Sequence, residues 1–196
     1  RHMARATIAA LDGHDDVVTP APSCVVAMLH EYETLFADDP AWRGRAAQLA
    51  GRVHDLVGYL STTARLPDGA LARGARAPGG GSAGRKVAVH RFCQGSNMLG
   101  AGDRLERLIA DLCEVEVVPL AEAEVCCGFG GSTSLTAPEV SRGILERKLE
   151  NVAASGAQVL VTDNPGCVLH LRGGADASGS RIRVVHAAEF LAARLT

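Results

Sequence analysis

The stretch Val125 to Gly131 (VCCGFGG) sets two thiols side by side and follows them with three glycines in four positions. Two further cysteines flank the pair, with 32 residues between Cys93 and Cys126 and 39 between Cys127 and Cys167. Thiolates are soft donors that select zinc or iron-sulfur clusters over hard cations. Structural zinc takes two thiolates spaced about two to four residues apart, so adjacent cysteines suit it poorly. On a multi-iron cluster each sulfur can address a different iron, and glycines permit the positive φ and close backbone approach that wrapping a bulky body needs. The pair alone also fits two blander readings: small buried residues beside a flexible loop, or a strained vicinal disulfide.

Four dispersed thiols can act together only if the fold gathers them. From Lys86 onward, strand and helix patterns alternate as a parallel sheet with covering helices requires. Strands are expected at 86–90 (KVAVH), 116–120 (EVVPL), 158–162 (QVLVT) and 183–186 (RVVH). Leu105, Leu108, Ile109 and Leu112 mark a helix over 104–112. Thr136 to Glu139 has the form of a capping box, followed by a helical stripe of Val140, Ile144, Leu145, Leu149 and Val152 that closes at Gly156. Cys167 opens a short helix expected to end near Gly173 and Gly174, and a last helix spans 187–195. The fold class is therefore α/β: a four-stranded parallel sheet with helices on both faces, Rossmann-like. Right-handed crossovers place every strand's C-terminal end on one edge of such a sheet. Cys93, Cys126, Cys127 and Cys167 all follow strands, so they should meet there.

The first third is shorter. Val17 to Thr19 reads as a strand, and 24–36 and 42–60 read as helices, with nothing left to complete a sheet. Val18 to Val25 aligns without a gap on Val161 to Val168, identical at five of eight positions, so a strand, a proline turn and a helix-opening cysteine occur twice. Only 23 residues precede Cys24. Residues 1–65 are thus expected to be the C-terminal part of a first copy whose front lies upstream of Arg1, 66–84 a Gly/Ala/Arg-rich linker, and 85–196 a complete second copy. Arg1-His2-Met3 resembles a tag remnant joined to a start codon and is set outside fold reasoning.

A formal charge of -2 with both signs interleaved offers no basic face for nucleic acid or an anionic membrane. No apolar run approaches the roughly 20 residues that span a bilayer, and the first residues lack a secretory pattern, so a cytoplasmic location is expected. Six cysteines in a reducing compartment point to metal ligands or redox thiols rather than a disulfide scaffold. Cys113, on a helix without cysteine neighbours, reads as core. His170, one helical turn after Cys167, is a further candidate ligand or proton carrier. His90 and His186 each end a strand on the functional edge; His30 stands six residues after Cys24, so the repeat does not reinforce His170.

Together, Cys93, the Cys126-Cys127-Gly128 triplet and Pro165-Gly166-Cys167 resemble the cysteine-rich CCG domain. That domain occurs, usually in two copies, in one of the heterodisulfide reductase subunits, in the iron-sulfur subunits of glycolate oxidase and anaerobic glycerol-3-phosphate dehydrogenase, and in lactate utilisation protein A. The segment from Cys126 to Leu171 is most similar to the last of these subfamilies, and His186 to Glu189 resembles its C-terminal signature. The resemblance implies a [4Fe-4S] cluster on Cys93, Cys126, Cys127 and Cys167, with zinc as an alternative or substitute, and Cys24 as the remnant of a second site. It implies an electron-transfer subunit of an L-lactate-oxidising complex, acting only with a ferredoxin-like iron-sulfur subunit and a third subunit. The rival expectations are a glycolate oxidase or heterodisulfide-reductase-like complex, and a zinc-stabilised interaction module without redox work. The heterodisulfide reductase branch holds a non-cubane cluster with a fifth cysteine; here His170 occupies that position, and four thiolates suit an ordinary [4Fe-4S] cluster.

Overall fold

Val159–Thr162 (VLVT) is buried at all four positions and Lys86–Val89 at three of four, the continuous burial of parallel strands covered on both faces. In the computed structural model, which describes residues 1–64, 86–113 and 115–194, these strands form the middle of a four-stranded sheet. We number the strands β3 (Lys86–Val89), β4 (Glu116–Val117), β5 (Val159–Thr162) and β6 (Arg183–His186), after β1 (Val17–Thr19) and β2 (Val53–Asp55) of the N-terminal part. The order across the sheet is β4-β3-β5-β6, and every pairing is parallel. The α/β class expected from the sequence is therefore the one observed.

Alternation along the strands splits the core in two. Val87, Val89, Val159, Val161 and Val185 face one side, where α7 (Arg104–Leu112) and α11 (Ala187–Ala192) cover them with Leu105, Leu108, Ile109, Phe190 and Leu191. Ala88, Leu160 and Val184 face the other, beneath α9 (Pro138–Ala154) and α10 (Pro165–Ala177). The remaining C-terminal helices, α6 (Cys93–Met98) and α8 (Thr133–Thr136), are short.

Several expectations are corrected. The capping box does not form: Ala137 caps α9 without a side-chain hydrogen bond, because Thr136 closes α8. The α9 stripe is rotated, with Val140 exposed while Ser141 and Lys148 are buried. Gly156 does take the left-handed conformation just beyond its end (φ +70°). Helix α10 continues through Gly173 and Gly174 to Ala177, since Gly174 is where α9 approaches: a Cβ there would lie 2.7 Å from Leu145 Cδ2.

The N-terminal part comprises α1 (His2–Ala10), β1, α2 (Pro22–Val26), a π-helical turn (Ala27–Glu31), α3 (Tyr32–Leu35), α4 (Pro40–Ala50), β2 and α5 (Leu56–Thr62). Arg1 pairs with Asp38 and His2 opens α1, so these residues do take part in the fold. The single helix expected over 42–60 is interrupted. Gly51 ends α4, Arg52 Nη1 donates to Leu11 O at 2.8 Å, and Val53–Asp55 becomes a strand paired in parallel with β1. Thr19 stands opposite Asp55 in this small sheet, as the aligned Thr162 stands opposite His186 in the large one. Each of those partners then accepts a backbone N-H of the helix it starts, Asp55 from Gly58 and His186 from Ala188. Each of the two octapeptides thus begins in a strand paired in parallel with a later strand that leads into a helix.

The two parts are packed together. Helix α2 lies on α6 and α5 on α7, and Val57 joins the core beneath the large sheet. His186 Nε2 lies 2.9 Å from Pro20 O and 2.8 Å from Asp163 O, two carbonyls at equivalent positions of the repeat, and so clips the parts at their seam. The expected linker, 66–84, lies outside the described residues.

Candidate metal centre

Chain order reverses between β3 and β5, because β4 lies beyond β3 and the chain must return across it. A crevice at the carboxyl ends of strands opens at such a point. Cys93 starts α6 just after β3, and Cys167 lies in the first turn of α10 just after β5. Asn164 caps α10, accepting from Gly166 N at 3.0 Å and Cys167 N at 3.4 Å, which fixes that cysteine at a helix N-terminus.

The loop after β4 brings the vicinal pair back over this crevice. Its turn at 121–124 is tied to α9 by Arg147 on Glu122, by Lys148 Nζ donating to Glu122 O, and by Asn151 Nδ2 donating to Ala121 O at 3.3 Å. Arg91 N donates to Ala123 O at 3.0 Å from the β3 side. Gly128 then runs so close to α9 that a Cβ would lie 2.5 Å from Ser141 O, and its φ of +97° is one that side chains resist. Phe129 fills the space over Gly166, where a Cβ would meet its ring at 2.6 Å.

All four thiols are free, and they form a contiguous series. Cys93 neighbours Cys126, Cys126 neighbours Cys127, and Cys127 neighbours Cys167, each near enough to influence the next thiol's acidity. A ring nitrogen of His90 and the sulfurs of Cys127 and Cys167 lie within 4.8 Å of one another, all three residues buried. Sharing of protons along the series splits its acidities. Cys93 is pushed up by donating to Cys126 and by burial, and Cys127 by its contacts with Cys126 and Cys167. Cys126 is drawn far down by Cys127, by Cys93 and by the N-H of Gly128, which lies 3.3 Å from its sulfur. Cys167 is lowered to about 6, by Cys127 first and by His90 as well, against the opposing effect of burial.

Other expected residues fall elsewhere. His170 Nε2 lies 3.3 Å from Ser141 Oγ and its ring is 5.9 Å from that of Phe129; it supports the loop and is not in the His90 cluster. Cys24 is exposed at the start of α2. Cys113 is buried in the core, and burial raises its thiol. His186 is the clip described above.

Sequence reading overlooked Lys148. Its ammonium is buried, 2 % exposed, and lowered in pKa by desolvation, while Glu122, Cys127, Cys126 and Cys167 act in the opposite sense. A lysine in the middle of an amphipathic helix looks like a solvated face. Only its hydrogen bond to the Glu122 carbonyl shows it to be buried, near enough to the thiols for their charges to act on it. Asp163 escaped as well: desolvation raises it to about 7, with Asp55, Cys167 and Glu106 reinforcing the shift.

The donor set fits a soft metal or an iron-sulfur cluster. Donor atoms of His90, Cys127 and Cys167 gather within 4.8 Å of one another, Cys126 and Cys93 continue the series outward, and a buried lysine lies nearby. Sheet, crevice and thiol set define a cysteine-rich α/β domain whose His/Cys/Cys cluster is consistent with a metal or an iron-sulfur cluster. The cysteine-rich domain family known as CCG matches residues 87–172. Over nearly its whole length the chain is also similar to curated relatives. It is 34 % identical to lactate utilization protein A of Shouchella clausii over 192 residues, covering 97 % of this chain and 75 % of that protein. With lactate utilization protein A of Geobacillus thermodenitrificans it shares 34 % over 177 residues, or 90 % and 70 % of the two chains. It is 31 % identical to the uncharacterized protein YkgE of Escherichia coli over 188 residues, 95 % and 74 % respectively. The chain belongs to the lactate utilization protein A family. Among the described residues no helix is long and apolar enough to cross a membrane.

Proposed function

We propose that this protein is the iron-sulfur electron-transfer subunit of a cytoplasmic L-lactate-oxidising complex. The reading is carried by one observation: four free thiols from three strand-end loops meet in contact at the topological switch of the sheet, in a member of a lactate utilization family. Cys93, Cys126, Cys127 and Cys167 would hold the cluster, and a [4Fe-4S] body would supply one-electron transfer there. The residues around it have definable tasks. Asn164 and the α10 N-terminus orient Cys167, Gly128 N-H stabilises negative charge on the Cys126 sulfur, and Lys148 balances charge from beneath. Phe129 and Gly128 shield the inner sulfurs, leaving Cys93 and Cys126 at the half-exposed rim where electrons would enter and leave. A ferredoxin-like iron-sulfur subunit and a third subunit would be the partners in oxidising lactate. Residues 1–65 are, in this reading, the closing units of a further copy of the same domain, with Cys24 its Cys167 equivalent.

Anaerobic purification with iron, acid-labile sulfide and EPR analysis tests the proposal. About four irons and four sulfides per chain, with a reducible EPR signal, is the expected result. A second reading, a zinc-stabilised docking module, is favoured by the close spacing of His90, Cys127 and Cys167, which suits one small ion. Zinc without sulfide in anaerobically prepared protein would choose it instead.

A further inference from the structure

We propose that His90 Nε2 is itself a metal ligand, so that the centre is held by imidazole and sulfur donors together; on a four-iron cubane, which takes one protein ligand per iron, it would stand in for one of the four thiolates. The inference rests on the reading of the thiol crevice as a metal centre, and adds to it a donor that no cysteine pattern contains.

The ring is completely buried, at 0 % exposure, at the end of a central strand. Its backbone N-H donates to Val161 O at 2.9 Å, so its Cα is fixed between β3 and β5, at the switch point itself. Nδ1 lies 3.1 Å from Ala123 O, the carbonyl that also accepts Arg91 N-H. A carbonyl can only accept, so the tautomer this contact favours carries its proton on Nδ1 and presents a lone pair at Nε2. That nitrogen is buried with no oxygen or nitrogen partner, and the groups within reach of the ring are the sulfurs of Cys167 and Cys127, which a metal would bridge to it. Ligating histidines are typically oriented in this way, one ring nitrogen donating to a backbone carbonyl and the other turned to the metal.

The distances agree. Zinc takes nitrogen at about 2.0–2.1 Å and sulfur at about 2.3 Å, so tetrahedral donors stand roughly 3.5–3.8 Å apart. A spacing within 4.8 Å for His90, Cys127 and Cys167 closes to that by small side-chain rotations, and a larger cluster would open it instead. His170 offers a contrast. It is the histidine that sequence spacing brings closest to Cys167, yet its Nε2 already has Ser141 Oγ as partner.

The test uses the full chain, isolated anaerobically with the metal it acquires or loaded with Fe²⁺ and sulfide. X-ray absorption at that metal's edge should show an imidazole in the first shell. Pulsed EPR of the paramagnetic iron state should show one strong nitrogen coupling that changes on ¹⁵N-histidine labelling, disappears in His90→Cys and survives in His170→Ala. A shell of sulfur alone in the wild-type protein would overturn the inference whether or not any variant folds. So would a coupling retained in folded His90→Cys. Zn²⁺ bound with an imidazole and no sulfide would refute the iron-sulfur reading while supporting His90 as ligand; uptake of neither iron nor Zn²⁺ would refute both.

Discussion

Gly128→Ala probes how the CCG loop is held, and its neighbour supplies the control. Gly128 and Gly131 lie in one loop, both at positive φ, +97° and +60°. At Gly131 an added Cβ meets nothing within 4 Å, so alanine there costs only the left-handed backbone, about 1–2 kcal/mol. At Gly128 the same methyl lies 2.5 Å from Ser141 O, 3.2 Å from His170 Nε2 and 3.3 Å from Ile144 Cβ. Ser141 O belongs to the backbone of α9 and cannot swing away, so loop and helix must separate, adding about 1–3 kcal/mol as other overpacked sites do. The expected loss is therefore about 2–5 kcal/mol for Gly128→Ala against about 1–2 for Gly131→Ala. For a chain of this size that is a Tm difference of roughly 2–12 °C between the variants, at about 2–4 °C per kcal/mol. Urea denaturation and thermal melts of both proteins, metal-free and under reducing conditions, measure it. Because Cys127 moves with the loop, metal capacity should fall in Gly128→Ala and persist in Gly131→Ala. Equal stabilities and equal metal content would show that close approach to α9 does not position the thiols, and the reasoning would fail.

Asp163 predicts a pH dependence. Desolvation raises it to about 7 from 3.8, so the folded protein keeps a proton that the unfolded chain releases. Its contribution is complete below about pH 4 and disappears as pH rises through about 7, up to about 4 kcal/mol in all; Asp163→Asn should flatten that slope in urea titrations, and an unchanged slope would exonerate the residue. Lys148→Met should lower the centre's reduction potential in the loaded protein, on the order of 50 mV for roughly 1 kcal/mol of lost attraction to an added electron; redox-poised EPR showing no shift or a rise would remove its role as counter-charge. Cys93→Ser should lose metal, measured as iron and zinc per chain, while Cys24→Ser keeps the wild-type amount because Cys24 is exposed and outside the gathered thiols. The reverse ranking would move the site to the N-terminal part.

The parallel sheet was readable before any coordinates, and right-handed crossovers leave each strand end, and the residues that follow it, on the same edge. Short runs of β-branched and apolar residues in the strands and a strongly one-sided α7 left little ambiguity in that topology. Strand β2 was not readable: three residues, Val-His-Asp, between good helix formers carry no period, and pairing with β1 overrides local propensity.

The amino-acid sequence by itself determined which residue types are present and which edge they reach, because those follow from composition, period and chirality. Tertiary structure alone decided which side chains turn inward. His90 and His170 are both near the thiols along the chain, but Ala123 O orients one ring toward the sulfurs while Ser141 Oγ holds the other aside. Lys148 is buried because a loop carbonyl 26 residues away in sequence comes to lie over its ammonium. Contacts of that kind join groups distant along the chain, and no local pattern encodes them.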